Sequence, residues 1–349
     1  MSRAADALSA IAPALAFLCT GVPLAALLDR LGFFESVARL LQRGAGPVAL
    51  WKLWGLAAAT TAVLNLDTTV VLLTPLYIRL ARRANVDPLP VAIVPLLLAS
   101  LASSFLPVSN LTSLIVVDAT GAGVGDVVTR LALPSLAAVL IGWLAYRRHF
   151  PTFLPPTGPE AVDRRAVTIG GAVVSALLVM FTVGPVVGVD PWMAALGADV
   201  FLVAITRHLP WRSVPVGTAA LVAIVAAFTA IVVPTSIAAE VQQVDGPVAL
   251  GGLVIAGAAV ANAVNNLPAT LAVLHDAHDP TNGIWAWLLG VNVGAVLLPT
   301  GALANLLWWS IAVEEDVPMT LARYVRHVVP VGLPALGAAA ITFAVAAAV

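Results

Sequence analysis

The sequence predicts an all-α integral membrane protein built as an inverted repeat, with about eight transmembrane helices, two re-entrant hairpins and two broken helices. Three observations carry this. Of 349 positions, 60% are hydrophobic and 10% charged, against about 25% charged in a soluble domain. Too few charges remain to coat a water-soluble surface of this size. Charge-free apolar stretches of bilayer length recur along the whole chain. A unit of one interrupted apolar region followed by one broken helix also occurs twice.

Eight stretches read as full crossings: 7–28, 91–117, 131–146, 166–189, 191–206, 213–239, 283–313 and 328–349. Most approach or exceed the roughly 20 residues that span a bilayer, while 131–146 and 191–206 are shorter. No cleavable-signal pattern precedes the first stretch, so all 349 residues are expected in the mature chain. Cys19, the single cysteine, can form no internal disulfide and reads as a small apolar packer. The longest polar stretch, 147–165, reads as a linker. Net charge is −1 and the basic residues are scattered, so nothing points to nucleic acid.

Two apolar regions differ from the rest. Region 48–78 is interrupted at Asn65-Leu66-Asp67, and region 247–274 at Asn265-Asn266-Leu267-Pro268. Such breaks are tolerated at membrane depth only where they line a cavity or are buried in protein. The distribution of basic residues decides whether these regions cross or turn back. If both turn back, 15 of the 17 basic residues lie on one side, with only Arg3 and Arg130 opposite; if both cross, the split is 7 against 10. The hairpin reading therefore wins. It places the basic side in the cytoplasm and the N-terminus outside. The first hairpin then opens to the cytoplasm and the second to the outer face.

Each hairpin precedes a segment broken in its middle. The first contains Leu106-Pro107-Val108-Ser109-Asn110-Leu111 and the second Leu298-Pro299-Thr300-Gly301-Ala302-Leu303-Ala304-Asn305-Leu306. The two repeats are 1–146 and 166–349, joined by the linker 147–165. Opposed repeats with discontinuous helices are the mark of a secondary transporter whose site lies near the midplane.

The residues also resemble a known family. Leu27-Leu28-Asp29-Arg30-Leu31-Gly32-Phe33-Phe34-Glu35 and Leu64-Asn65-Leu66-Asp67-Thr68-Thr69 through Pro75 are similar to the first hairpin region of the arsenite/antimonite efflux permeases. Pro107-Val108-Ser109-Asn110-Leu111 resembles their first broken helix, and Asn265-Asn266-Leu267-Pro268 their second hairpin tip. Gly290-Val291-Asn292-Val293-Gly294 through Trp308 resembles their second broken helix. The similarity runs over 16–345. The first hairpin departs from the family's adjacent Asn-Asp, because Leu66 separates Asn65 from Asp67. Members usually carry further transmembrane sequence ahead of the segment matching 7–28. The resemblance implies the ion transporter superfamily, whose members also include dicarboxylate symporters and sodium/proton antiporters and are often homodimers.

Asp67 is the sharpest candidate for function. It is ionisable and stands at a break deep in an apolar region, where such residues are costly and usually functional. It is expected to carry an exchanged proton, to cap the half-helix 68–78, or both. Asp199, in the middle of stretch 191–206, is either a second proton site or a structural partner for a hydroxyl or amide. Substrate contacts are expected from Asn65, Thr68, Thr69, Ser109, Asn110, Asn265, Asn266, Thr300 and Asn305, with Thr112 and Thr270 nearby. Their alternative role is to satisfy loose backbone groups. His275-Asp276-Ala277-His278-Asp279 has metal-like spacing but reads as a solvated loop, so neither metal nor cofactor is expected.

Arsenite and antimonite are mostly uncharged trihydroxy species at neutral pH, which suits uncharged polar tips. The basic residues fall in loops or at helix ends, so no buried Arg or Lys is expected to grip an anion. The expected activity is export of such a small oxyacid across a bacterial cytoplasmic membrane, coupled to a proton or to sodium. A dicarboxylate symporter or a sodium/proton antiporter of the same superfamily is the alternative. An intramembrane enzyme ranks low, because all five histidines lie in loops or at segment ends. No ATP-binding loop occurs, so ATP dependence would require a separate ATPase subunit.

Overall fold

The computed structural model describes residues 3–41, 48–155, 161–232, 235–274, 277 and 279–348. Arg43 and the loop residues His275, Asp276 and His278 lie outside the described residues. The chain is helical almost throughout. The strands among the described residues are a two-residue antiparallel ladder, β1 (Val48–Ala49) against β2 (Phe153–Leu154). This ladder ties the polar linker to the start of the first hairpin.

The first half comprises α1 (Arg3–Arg30), α2 (Phe33–Leu41), α3 (Leu50–Leu64), α4 (Leu66–Arg83), α5 (Pro88–Leu101), α6 (Leu111–Thr120) and α7 (Val124–His149). The second comprises α8 (Arg164–Val183), α9 (Pro191–Thr206), α10 (Val216–Val232), α11 (Thr235–Gln242), α12 (Pro247–Val264), α13 (Asn266–Leu271), α14 (Asn282–Gly294), α15 (Leu303–Glu314) and α16 (Leu321–Ala346).

Several boundaries extend past the expected stretches, for one physical reason. α7 covers more than 131–146 because Asp126 and Arg130 are helical yet charged. Asp126 accepts the Gly123 N–H at 2.7 Å, while Arg130 donates to the Asn282 side chain at 2.8 Å. α16 likewise starts ahead of 328, from Thr320, whose side chain caps the Arg323 N–H. Charged residues in end turns interrupt an apolar run without interrupting a helix. Within stretch 213–239 the described residues are helical from Val216 to Val232 (α10) and from Thr235 to Gln242 (α11).

Both interrupted regions break at a single asparagine with positive φ, 127° at Asn65 and 85° at Asn265. In each case the side chain caps the helix that follows. Asn65 accepts from the Thr68 N–H, and Asn265 from the Leu267 N–H. The first region then folds back on itself. The Tyr77 hydroxyl, late in α4, donates to the Leu53 carbonyl, early in α3, at 2.6 Å.

Among the described residues α7, α8, α12 and α16 are long and apolar enough to cross a membrane. α12 nevertheless does not carry the chain across for good. α14 lies parallel to it, with Gly290 against Val254 and Gly294 against Ala258. Parallel neighbours require the chain to return to the starting face between the end of α12 and the start of α14. A Cβ on Gly290 would collide with the Val254 carbonyl, so glycine sets how closely these helices approach.

The first broken helix is interrupted by a 3₁₀ turn at Pro107–Ser109, and the second by two, Ala295–Leu297 and Pro299–Gly301. Their loose backbone groups are bonded within the protein, as membrane depth demands. The Ser109 hydroxyl accepts the Leu106 N–H and donates to the Ala62 carbonyl of α3. In the second half the same work is divided. Asn262 of α12 accepts the Leu298 N–H, and the Thr300 hydroxyl donates to the Asn262 carbonyl. Asn305 donates to the Ala295 and Leu298 carbonyls, and Tyr324 to that of Val296.

Candidate functional site

The two hairpin tips and the two broken helices converge on one cavity of about 260 Å³. Four helices begin at its wall: α4 after Asn65, α6 after Asn110, α13 after Asn265 and α15 after Ala302. Helix N-termini present free N–H groups and the positive end of the dipole. The polar lining is Asp67, Asn110, Thr112, Asn265 and Asn266. The rest is apolar, including Leu18 of α1, Leu66, Leu111, Val222 of α10, Val264, Leu267, Pro268 and Leu303. No Lys, Arg or His occurs among the described residues of the lining.

Asp67 stands in the first turn of α4, which begins at Leu66. The cap of that helix is Asn65, so the expected capping role of Asp67 is not found. The reason is geometric: the positive φ at Asn65 aims its own side chain at the Thr68 N–H, at 2.8 Å. Asp67 is left facing the cavity with no hydrogen-bond or ion-pair partner among the described residues. Its place in the first turn puts it at the positive end of the α4 dipole.

Asn110 caps α6 by accepting the Thr112 N–H at 3.1 Å. Asn265 donates to the Thr300 carbonyl. Asn266 lines the cavity with no side-chain partner among the described residues. These residues, with Asp67, are the expected site residues that the structure brings together.

The others stand behind the wall. Asn65 and Thr69 are buried in the first hairpin, where the Thr69 hydroxyl bonds to Thr61 and to the Asn65 carbonyl. The Thr68 hydroxyl is buried without a partner among the described residues. Ser109, Thr300 and Asn305 make the backbone ties described above. Thr300 also borders a groove of about 760 Å³ along α15, which shares Leu306 with the central cavity. Asp199 is buried in α9, with Oδ1 unpartnered among the described residues and outside the cavity lining.

Two buried asparagines escaped the sequence expectation as site residues. Asn262 joins α12 to the second break, and Asn292 of α14 joins the two broken helices. The available signal was an amide inside an otherwise apolar run, at Asn262 and at Asn292.

Comparisons with known proteins agree with this architecture. The chain is 26% identical over 351 residues to an arsenical pump membrane protein of Escherichia coli, covering 89% of this chain and 81% of that one. An uncharacterized transporter of Synechocystis is 22% identical over 341 residues, covering 84% and 76%. An uncharacterized transporter of Mycobacterium tuberculosis is 25% identical over 346 residues, covering 89% and 80%. A family profile described as citrate transporter (CitMHS) matches residues 4–291, most of the chain. With the paired hairpins and broken helices, these matches make the protein a multi-pass membrane transporter that belongs to the CitMHS citrate transporter family.

Proposed function

We propose that the protein exports arsenite and antimonite, as neutral trihydroxy acids, across a bacterial cytoplasmic membrane in exchange for protons. One observation carries this reading. The cavity where four helix starts meet holds one carboxyl group, amides and a hydroxyl, and no cationic side chain among its described lining. A small uncharged solute with several hydroxyls matches such a lining. An anion of high charge would face Asp67 with no basic partner. The Escherichia coli relatives are arsenical pump membrane proteins, which favours the same substrate class.

In this reading Asp67 is the proton carrier, and Asn110, Thr112, Asn265 and Asn266 contact the substrate. Asn65, Thr69, Ser109, Thr300 and Asn305 hold the breaks in shape, and the unpartnered Thr68 hydroxyl stands behind the wall. Asp199 is a second candidate for the proton. The repeats 1–146 and 166–349 expose the cavity to each side in turn, with the N-terminus outside and the groove beside Leu306 as a route to the cavity. A homodimer and a separate ATPase subunit are compatible additions.

A second reading has its own observation. The family profile is described as a citrate transporter, and helix N-termini can bind carboxylates when sodium balances the charge. Uptake into everted vesicles separates the two. Arsenite and antimonite accumulation driven by an inward-acid pH gradient is expected. Sodium-dependent citrate movement without arsenite transport would replace the first reading with the second.

A further inference from the structure

Asn292 is 1% exposed, and its carboxamide makes four hydrogen bonds, all to the first broken helix. Their directions follow from one fixed donor. The Thr112 backbone N–H lies 3.1 Å from one side-chain atom of Asn110. A backbone N–H can only donate, so that atom is the oxygen. The amide nitrogen of Asn110 therefore faces Ser103 at 3.3 Å and Asn292 at 3.0 Å. The atom it meets on Asn292 must then be oxygen. The Thr112 hydroxyl, 2.6 Å from the same oxygen, must donate to it. The amide nitrogen of Asn292 directs its two hydrogens to Ser104 at 3.0 Å and Ser113 at 3.1 Å.

The consequence reaches the cavity, which Asn110 and Thr112 line. Both amide hydrogens of Asn110 and the hydroxyl hydrogen of Thr112 are committed to the interior. These two residues can offer the cavity only oxygen lone pairs. Asp67, beside them, is an acceptor when ionised. We infer that Asn292 is a specificity-determining positioning residue: it holds Asn110 and Thr112 as acceptors, so that the site selects solutes that donate through hydroxyl groups. An anion needs donors, and these two side chains withhold theirs. Without the Asn292 oxygen, the Thr112 hydroxyl and one Asn110 N–H would be free to turn toward the cavity. The inference rests on the cavity being the substrate site.

The test measures binding to the purified full chain in detergent, using arsenite and boric acid as neutral trihydroxy probes and citrate as an anion. Wild type, Asn292→Leu, Thr112→Val and Thr112→Ser are compared. Wild type is expected to bind the neutral acids at least about tenfold more tightly than citrate, a ratio within reach of hydrogen-bond matching. Asn292→Leu and Thr112→Val are expected to reduce that ratio by about tenfold, while Thr112→Ser preserves it. If Asn292→Leu fails to fold, the Thr112→Val and Thr112→Ser pair decides alone. A wild type that prefers the neutral acids, with variants that keep its ratio, would overturn the role of Asn292 and leave the proposed substrate standing. A wild type that prefers citrate would overturn both.

Discussion

The hydroxyl of Tyr77 donates to the carbonyl of Leu53 at 2.6 Å, joining two residues that stand equally far along the sequence on either side of Asn65. This bond holds the arms of the first hairpin together and returns the chain to the face it left. Cysteines introduced at Lys52 and at Arg79, in a Cys19→Ser background, should therefore be labelled by a membrane-impermeant thiol reagent from the same side, expected to be the cytoplasm. Labelling from opposite faces would refute the hairpin. Tyr77→Phe leaves the buried Leu53 carbonyl without this donor and should cost about 1–3 kcal/mol, read as a lower melting temperature in detergent.

Asp67 faces the cavity from the first turn of α4. Asp67→Asn keeps the shape and hydrogen-bonding capacity of the side chain and removes its titration. The variant should reach the membrane and still exchange substrate down a concentration gradient, yet lose accumulation driven by a pH gradient in everted vesicles. Proton-driven accumulation at the wild-type level would exclude Asp67 as carrier and point to Asp199.

Asn65 combines a positive φ of 127° with a side-chain cap on α4. Asn65→Gly removes only the cap, because glycine adopts this backbone without strain. Asn65→Ala removes the cap and adds the strain. The alanine variant should be the less stable of the two, by about 1–3 kcal/mol, in thermal unfolding of the purified protein. Equal melting temperatures would show that the backbone at this tip relaxes.

Gly290 packs directly on the Val254 carbonyl, so any side chain there separates α12 from α14. Gly290→Ala should destabilise by about 1–3 kcal/mol. Because both helices lead to the cavity, the substrate KM should rise in vesicle assays as well. Unchanged stability and KM would mean that the two helices slide apart freely.

Much of this protein was legible before any coordinates. Composition and span length dictate a membrane protein, because so few charges cannot solvate 349 residues. The asparagines at 65 and 265 marked both breaks, since asparagine tolerates a positive φ and its side chain caps the helix that follows. The distribution of basic residues predicted two returning hairpins, and the contacts of Tyr77 and Gly290 fit that path. What the sequence could not rank was the polar residues at the breaks. Asn110 and Ser109 are neighbours of similar chemistry, yet Asn110 reaches the cavity while Ser109 is consumed in tying Leu106 to Ala62. Asn292 sits in an ordinary apolar run, and only the packing of α14 against the first broken helix gives its amide four partners. The reason is physical. Hydropathy and breaks are local properties of the chain, whereas a hydrogen bond across nearly two hundred residues is decided by which helix faces which.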